Sequence, residues 1–328
     1  MTAHRERMRR VARALLAVAI WAHALGVASF LVVLSLFGES SRVTFLLLHV
    51  PRHPWLIAAA LLSPIALVQR RWVLVAVEAV ALLVTLFPLM GMRVGWSRSE
   101  RGHRLRVLTY NVFFGKLGRP QLVEEIAASG ADVVVLQASP ASLAERLAQR
   151  MPGPTSYKAR YDGEFVMVTR LRVRDVEVPE PLADGTPAMW ARYALEGPGG
   201  PFQVVSFHPF SPRAGIFDRE DPRIGVDIRD RQVASAVAAT ARTSEPFVLA
   251  GDSNLPGLSA LHRKHLSGMR DAFDDVGFGF GYTFPAKYPW MRIDRVLGGK
   301  VRFLSVAVGA RGASDHRSVV ADFELEAP

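Results

Sequence analysis

The sequence predicts a four-layer α/β sandwich, two facing mixed sheets with outer helices, preceded by an all-α membrane region. Three observations predict it. Residues 1–104 are long apolar runs broken by arginine clusters, whereas residues 105–328 alternate short apolar runs with Gly, Pro and Asp. In the second part, strand-like runs are interleaved with only a few helical ones. One run, ADVVVLQA, is apolar nearly throughout, as expected of a strand covered on both faces. The chain is therefore divided into a membrane anchor over 1–98 and a soluble domain over 99–328.

In the anchor, Ala14 to Phe37 holds no Asp, Glu, Lys or Arg and exceeds the ~20 residues that cross a bilayer as helix. A secretory leader would have a much shorter apolar core and a small-residue cleavage site, so this run reads as an uncleaved span over about 14–37. The stretch 43–51 reads as interfacial or re-entrant. A short second span is expected over about 53–69, and its length alone also fits a buried soluble helix. A third span over about 72–92 carries Glu78 as its one charge before Met92. Glu78 is either a functional intramembrane carboxylate or a group reaching back to the interface near Trp72. Arg5, Arg7, Arg9, Arg10 and Arg13 precede the first span, and Arg70 and Arg71 follow the second. Arginine bias puts these on the cytoplasmic side, so three crossings place the soluble domain on the extracytoplasmic side of the cell membrane. Two crossings would reverse it.

In the soluble part, RVLTYNVFF reads as a strand from its β-branched and aromatic content. A helix opens at Pro120 and closes before Gly130. ADVVVLQA is the second strand and PASLAERLAQRM the second helix. EFVMVTR, LRVRDVEV, AMWARYAL and PFQVVSFH follow as strands, then a helix over about 226–242 and the strand PFVLAGDSN. A short helical patch near 257–275 precedes the last strands, RIDRVL, VRFLSVAVG and SVVADFEL. No internal repeat or low-complexity tract stands out.

Composition narrows the chemistry. The chain has no cysteine, which excludes disulfides, thiolate metal sites and a cysteine nucleophile. Its net charge of +10 suggests a nucleic-acid partner at first sight. However, residues 1–104 hold 13 Lys+Arg against 4 Asp+Glu, and residues 105–328 hold 27 against 26. The excess sits in the anchor, where it orients helices and favours anionic headgroups.

Uncommon polar residues fall at strand ends: Asn111 after LTY, His208 after VVSF, Asp252 and Asn254 around FVLAG, Asp294 in RID, and Asp315-His316 at the start of the last strand. Each alone is an ordinary turn or capping residue. Together, histidines with acidic partners and Asp/Asn oxygens suit metal-assisted attack on a phosphate. In this order LTYNV, SFH, LAGDSN, RIDRV and SDH resemble the endonuclease/exonuclease/phosphatase (DNase I-like) superfamily, over residues 105 to about 325, and the N-terminal third resembles its membrane-anchored bacterial branch. The resemblance implies that His316 stands at the scissile phosphate, oriented by Asp294. Asp252 would position or deprotonate the attacking water, Asn254 hold phosphate or water, and His208 donate to non-bridging oxygens. Asn111 and Asp315 would lie at a divalent ion, Mg or Mn.

One departure qualifies this. The superfamily's metal-binding glutamate follows L-Q, and here that place is Ala138. Asp132 is roughly 20 Å away along the strand, Gln137 points to the opposite face, and Ser139 is neutral. Asp315, Asp252 or a loop carboxylate such as Glu164 would have to hold the ion. Two readings follow: a membrane-anchored metal-dependent phosphoesterase acting on nucleic acid, a phospholipid headgroup or a small phosphate ester, or a catalytically impaired, membrane-tethered binding module. The cluster Arg213, Arg219, Arg223, Arg229 and Arg231, interleaved with acids, reads as a salt-bridged face more simply than as a phosphate rim. Tyr288 and Trp290 read as packing, and His262 and His265 show no role.

Overall fold

A computed structural model describes residues 2–151, 157–217 and 221–326. The chain divides into two compact units, residues 1–92 and 93–328. The division follows Met92 because Arg93–Val94 pairs as a strand with Phe278–Gly279 of the second unit.

The first unit is helical. Helix Thr2–Phe37 buries Leu16, Ile20, Val27 and Leu34, a stripe at helical spacing. Its apolar residues meet Ala66 and Leu74. Two helical segments, Ala3–Phe37 and Trp72–Leu89, are long and apolar enough to cross a membrane. Arg42–His49 and Pro54–Val68 pass that test only as a pair bent by 68°, a broken span or a re-entrant loop. The break falls at Pro51-Arg52-His53, where Pro54 starts the next helix. Ser41 caps the shorter helix in a capping box with Thr44. Glu78 points into the helical unit. It is 1% exposed on the face packed against the first helix, with Oε1 2.8 Å from His23 Nδ1. The other His23 ring nitrogen lies 3.1 Å from the Trp55 carbonyl, so one buried polar group joins three helices.

The second unit holds two six-stranded sheets. The first runs Val301–Val308, Val319–Leu325, Leu105–Asn111, Val133–Gln137, Phe165–Thr169, Lys158–Asp162. The second runs Arg270–Asp271, Asp294–Gly299, Phe247–Asp252, Gly200–Phe207, Trp190–Gly197, Arg172–Glu177. Each sheet has one parallel pair at its centre, crossed over by a helix: Arg119–Ala128 in the first and Pro222–Thr240 in the second. The rest of the pairing is antiparallel. The halves therefore repeat a β-α-β core that sequence inspection does not reveal.

Three apolar clusters make the four layers. Val107, Val133, Val135, Tyr193, Val204, Val248, Phe303 and Phe323 fill the space between sheets. Leu108, Val134, Leu136, Leu122, Ile126 and Leu147 bury the outer helices on the first sheet. Val205, Phe207, Leu249, Val233 and Ala236 do the same on the second. Alternate residues of one strand thus serve two cores, which explains why ADVVVLQA is apolar on both faces. Three local expectations are corrected. The hairpin strand Lys158–Asp162 has mostly polar, exposed side chains and escapes an apolar-pattern reading. The patch 257–275 is two short helices, Ala260–His265 and Ala272–Val276, separated by the strand Arg270–Asp271. The last strand begins at Val319, so Asp315 and His316 sit in the preceding loop. The Ser314 hydroxyl fixes that loop, accepting from the His316 backbone N–H and donating to the Asn111 carbonyl.

Candidate active site

The C-terminal ends of the central parallel strands meet at one end of the inter-sheet space and deliver Asn111, His208 and Asp252. Antiparallel register puts Asp294 directly opposite Asp252. The Ser314-pinned loop brings in His316.

His316 is 5% exposed. Its Nδ1 contacts both Asp294 oxygens at 2.9 and 3.1 Å, and its Nε2 lies 3.6 Å from Asp252 Oδ2. Asn111 Nδ2 donates to the same Asp252 oxygen at 3.0 Å and lies 3.4 and 3.5 Å from the Nε2 atoms of His208 and His316. Five predicted residues therefore converge on one spot. Asn254 adjoins it in a left-handed backbone conformation, φ 51°. Its N–H donates to Asp252 Oδ1 and its side-chain amide to the Pro209 carbonyl, tying the Asp252 loop to the His208 loop.

Burial alone would push His316 down. The Asp294 carboxylate, with Asp252 behind it, outweighs that and lifts it to about 9. Burial pushes the Asp294 carboxyl up, with His316 opposing. His208 is also lowered by burial and raised by its partner Glu164, with a net rise. These directions have a consequence for stability. A histidine whose folded pKa exceeds its ordinary 6.5 contributes fully below about 6.5, and the contribution disappears as pH rises through about 9. In metal-free buffer, the melting temperature of the intact chain is expected to fall across that window. The His316→Asn variant is expected to lack this component, and identical profiles for the two chains would contradict the assignment.

Glu164, which the sequence offered only as a loop carboxylate for the ion, lies against His208. It stands in the turn between Lys158–Asp162 and Phe165–Thr169, and its Oε1 lies 2.5 Å from His208 Nδ1. It is therefore engaged with a histidine, making a second carboxylate–imidazole pair beside the first. The hairpin's Asp-Gly-Glu was the available signal, and nothing in it pointed to His208. Thr283 and Phe284 were also missed. The Thr283 hydroxyl accepts from the Asp294 backbone N–H, and the Phe284 ring lies 4.7 Å from the His316 ring.

Ala138 follows Val133–Gln137, is buried, and has φ 45°. Its carbonyl accepts from the Phe114 N–H. This left-handed residue breaks the strand alternation used to place its neighbours. Gln137 shares the inter-sheet side with Val133 and Val135 and bonds Thr109 and Ser206, one in each sheet, as a polar layer below Asn111. Asp132 lies at the far end of the strand, accepting from the Arg106 backbone and pairing with Arg170. Asp315 is a quarter exposed, 3.8 Å from Arg213 Nη2, and its Oδ1 is buried without a hydrogen-bond partner.

The oxygens open to a divalent cation are the orphaned Asp315 Oδ1 and the Asp252 carboxylate, whereas the Asn111 amide presents Nδ2 to Asp252 and its Oδ1 accepts from the Phe113 N–H. The ligand atoms of Asp252, Asp294 and His316 also lie within 4.8 Å of one another, although Asp294 already engages His316. A hard cation that keeps most of its waters and takes one or two carboxylates fits such a set.

The remaining forecasts resolve simply. The arginine cluster is a salt-bridged face only in part: Arg223 pairs with the interleaved Asp221, whereas Arg231 pairs with Asp184 outside the stretch and Arg213 lies 3.8 Å from Asp315. Arg229 is buried and donates to the Phe210 carbonyl. Arg219 lies outside the described residues. His265 pairs with Asp230, and His262 is pushed down to about 2, first by burial and then by Arg295 and Arg292.

Residues 108–316 match the family described as Endonuclease/Exonuclease/phosphatase. No curated protein matches the chain. Among solved structures, an endonuclease/exonuclease/phosphatase from Beutenbergia cavernae is similar at 22% identity and TM-score 0.51, over 69% of this chain and 72% of that one. A humanized D. rerio TDP2 is similar at 19% identity and TM-score 0.54, over 67% and 99%. D. rerio TDP2 complexed with a single-strand DNA product is similar at 18% identity and TM-score 0.53, over 67% and 99%. At these identities the structures speak to fold alone.

Proposed function

The chain belongs to the endonuclease/exonuclease/phosphatase family, and from that membership and its site we propose that it is a membrane-anchored, metal-dependent phosphoesterase. The observation that carries the reading is one imidazole, His316, held between two buried carboxylates, Asp294 and Asp252, where Asn111 and the His208–Glu164 pair converge.

In this reading Asp294 fixes the ring of His316 and keeps it cationic at neutral pH, with Nε2 facing the reacting phosphoryl group. Asp252 accepts the proton of the attacking water, and the Asn111 amide holds its carboxylate in place. His208, oriented by Glu164, donates to a non-bridging oxygen. The cationic His316 ring and the His208 N–H thus meet the charge that grows on phosphorus as the water adds and the bond to the leaving oxygen breaks, that oxygen taking its proton from solvent. A divalent ion held by Asp315 and Asp252, with Asn111 beside it, would supply Lewis-acid stabilisation of that charge. The apolar helices anchor the unit, and arginine bias favours the extracytoplasmic side if the bent pair Arg42–His49 and Pro54–Val68 crosses, and the cytoplasmic side if it does not. A nucleic-acid substrate, such as the single-strand DNA product bound by TDP2, draws no support from the near-neutral charge of residues 105–328.

Ala138 is the observation that favours a second reading, a binding module with a weakened metal site. A hydrolysis screen of the detergent-solubilised chain with Mg or Mn separates the two. It should include a generic phosphodiester, single-stranded DNA and phospholipid headgroups. The enzyme reading expects metal-dependent turnover of at least one class, and the module reading expects none.

A further inference from the structure

The apolar helical segment ends at Leu89 and the strand Arg93–Val94 begins after only three residues. Such a connection spans at most about 14 Å fully extended, so this strand cannot lie far from the end of a membrane-crossing helix. In it, Val94 pairs in register with Phe278, and the Gly95 N–H donates to the Gly277 carbonyl. Residues opposite each other in an antiparallel pair share a face. Val94 is 44% exposed, Phe278 69% and Trp96 73%. Three large apolar side chains therefore stand in solvent where the chain leaves its apolar helix. The cations beside them, Arg93 and Arg98, are engaged with Asp274 and Asp275, which leaves the surface apolar rather than basic.

This surface is connected to the catalytic residues. Trp96 and Phe278 line a groove whose other wall includes Tyr282, Pro289 and Arg317. The segment carrying Tyr282 and Pro289 also carries Phe284, whose ring packs on His316.

We propose that Val94, Trp96 and Phe278 form a lipid-docking surface that seats the catalytic unit on the bilayer holding its own anchor. The occupant is the interfacial zone of a phospholipid bilayer, because tryptophan and phenylalanine partition there and the chain itself carries the adjoining apolar helix. The inference rests on the membrane-anchored phosphoesterase reading and sharpens it: a unit seated in this way favours a phosphoester carried by a lipid over one free in solution.

The absence of native cysteine makes a direct test available. The full chain, reconstituted in phosphatidylcholine–phosphatidylglycerol vesicles, is labelled with an environment-sensitive fluorophore through Phe278→Cys. Tyr161→Cys, at an exposed position on the edge strand Lys158–Asp162, serves as reference. A blue-shifted probe at 278, quenched by shallow spin-labelled lipid while the probe at 161 is not, supports the proposal. Equal solvent exposure at both positions overturns it. So does shielding at 278 that depends on protein density and is accompanied by cross-linking between copies. The double variant Trp96→Asp/Phe278→Asp is expected to lose about tenfold or more in kcat/KM on a vesicle-borne ester while a soluble phosphodiester is turned over unchanged. An equal loss on both esters overturns the lipid-substrate consequence. Lipid quenching at 278 in a chain inactive on every ester supports docking and overturns the phosphoesterase reading instead.

Discussion

The His316→Ala variant is expected to lose about 10²–10³-fold in kcat on a phosphodiester, with KM little changed, as removal of a group that stabilises charge in the transition state does. The reason is local. The ring is the only one wedged between Asp294 and Asp252 among the described residues, and no neighbouring side chain has the geometry to replace it. His208, its nearest counterpart, is turned onto Glu164. Asp294→Asn provides a subtler version. It keeps a group of the same size but removes the charge that raises the imidazole, so the smaller loss should come with a downward shift of the high-pH limb of the rate profile. Circular dichroism and melting checks identify any variant that fails to fold. A folded His316→Ala chain with activity within twofold of the parent would remove His316 from the chemistry.

The second large effect is a gain. Ala138→Glu is expected to tighten Mg or Mn binding at least about tenfold, since cation affinity follows the number of charged ligands and each ~1.4 kcal/mol is a factor of ten. Position 138 directly follows Gln137, whose register partner is Asn111. Its backbone already adopts φ 45°, so glutamate adds no new backbone strain there beyond what alanine bears. Ala138→Gln supplies the same bulk without charge and is expected to leave affinity unchanged. Calorimetric titration decides: equal affinities for Ala138 and Ala138→Glu chains would mean that the ion is held away from Asn111.

Much of the site was legible because the relevant residues interrupt apolar strands. An asparagine after LTY or an aspartate after FVLAG is conspicuous in one dimension, and strand ends are where a rigid scaffold gives way to free loops. Ala138 drew notice only through the resemblance, which implies a glutamate after L-Q. What could not be read depends on proximity between distant segments. The Glu164–His208 pair joins residues 44 apart, and nothing local to either announces the other. The opposition of Asp252 and Asp294 is a matter of register, which sequence pattern leaves undetermined where both faces are apolar. Gln137 was assigned to the wrong side because alternation was extended through Ala138, where the backbone turns left-handed. Glu78 was visible as a charge in an apolar run, but its partner His23 lies 55 positions earlier in another helix. The sandwich itself followed from the apolar texture, apart from the polar edge strand Lys158–Asp162, which has little to bury.

The proposed activity is hydrolysis of a phosphoester at a metal site lacking the glutamate at position 138. The most direct measurement is turnover of a generic phosphodiester by the intact, chelator-stripped chain on return of millimolar Mg or Mn, with metal binding followed on the same sample. Turnover is expected to appear with the metal, disappear with chelator, and fall at least about 100-fold in His316→Ala. Neither binding nor turnover at millimolar metal would contradict that activity and leave the membrane-tethered binding module as the reading of this fold.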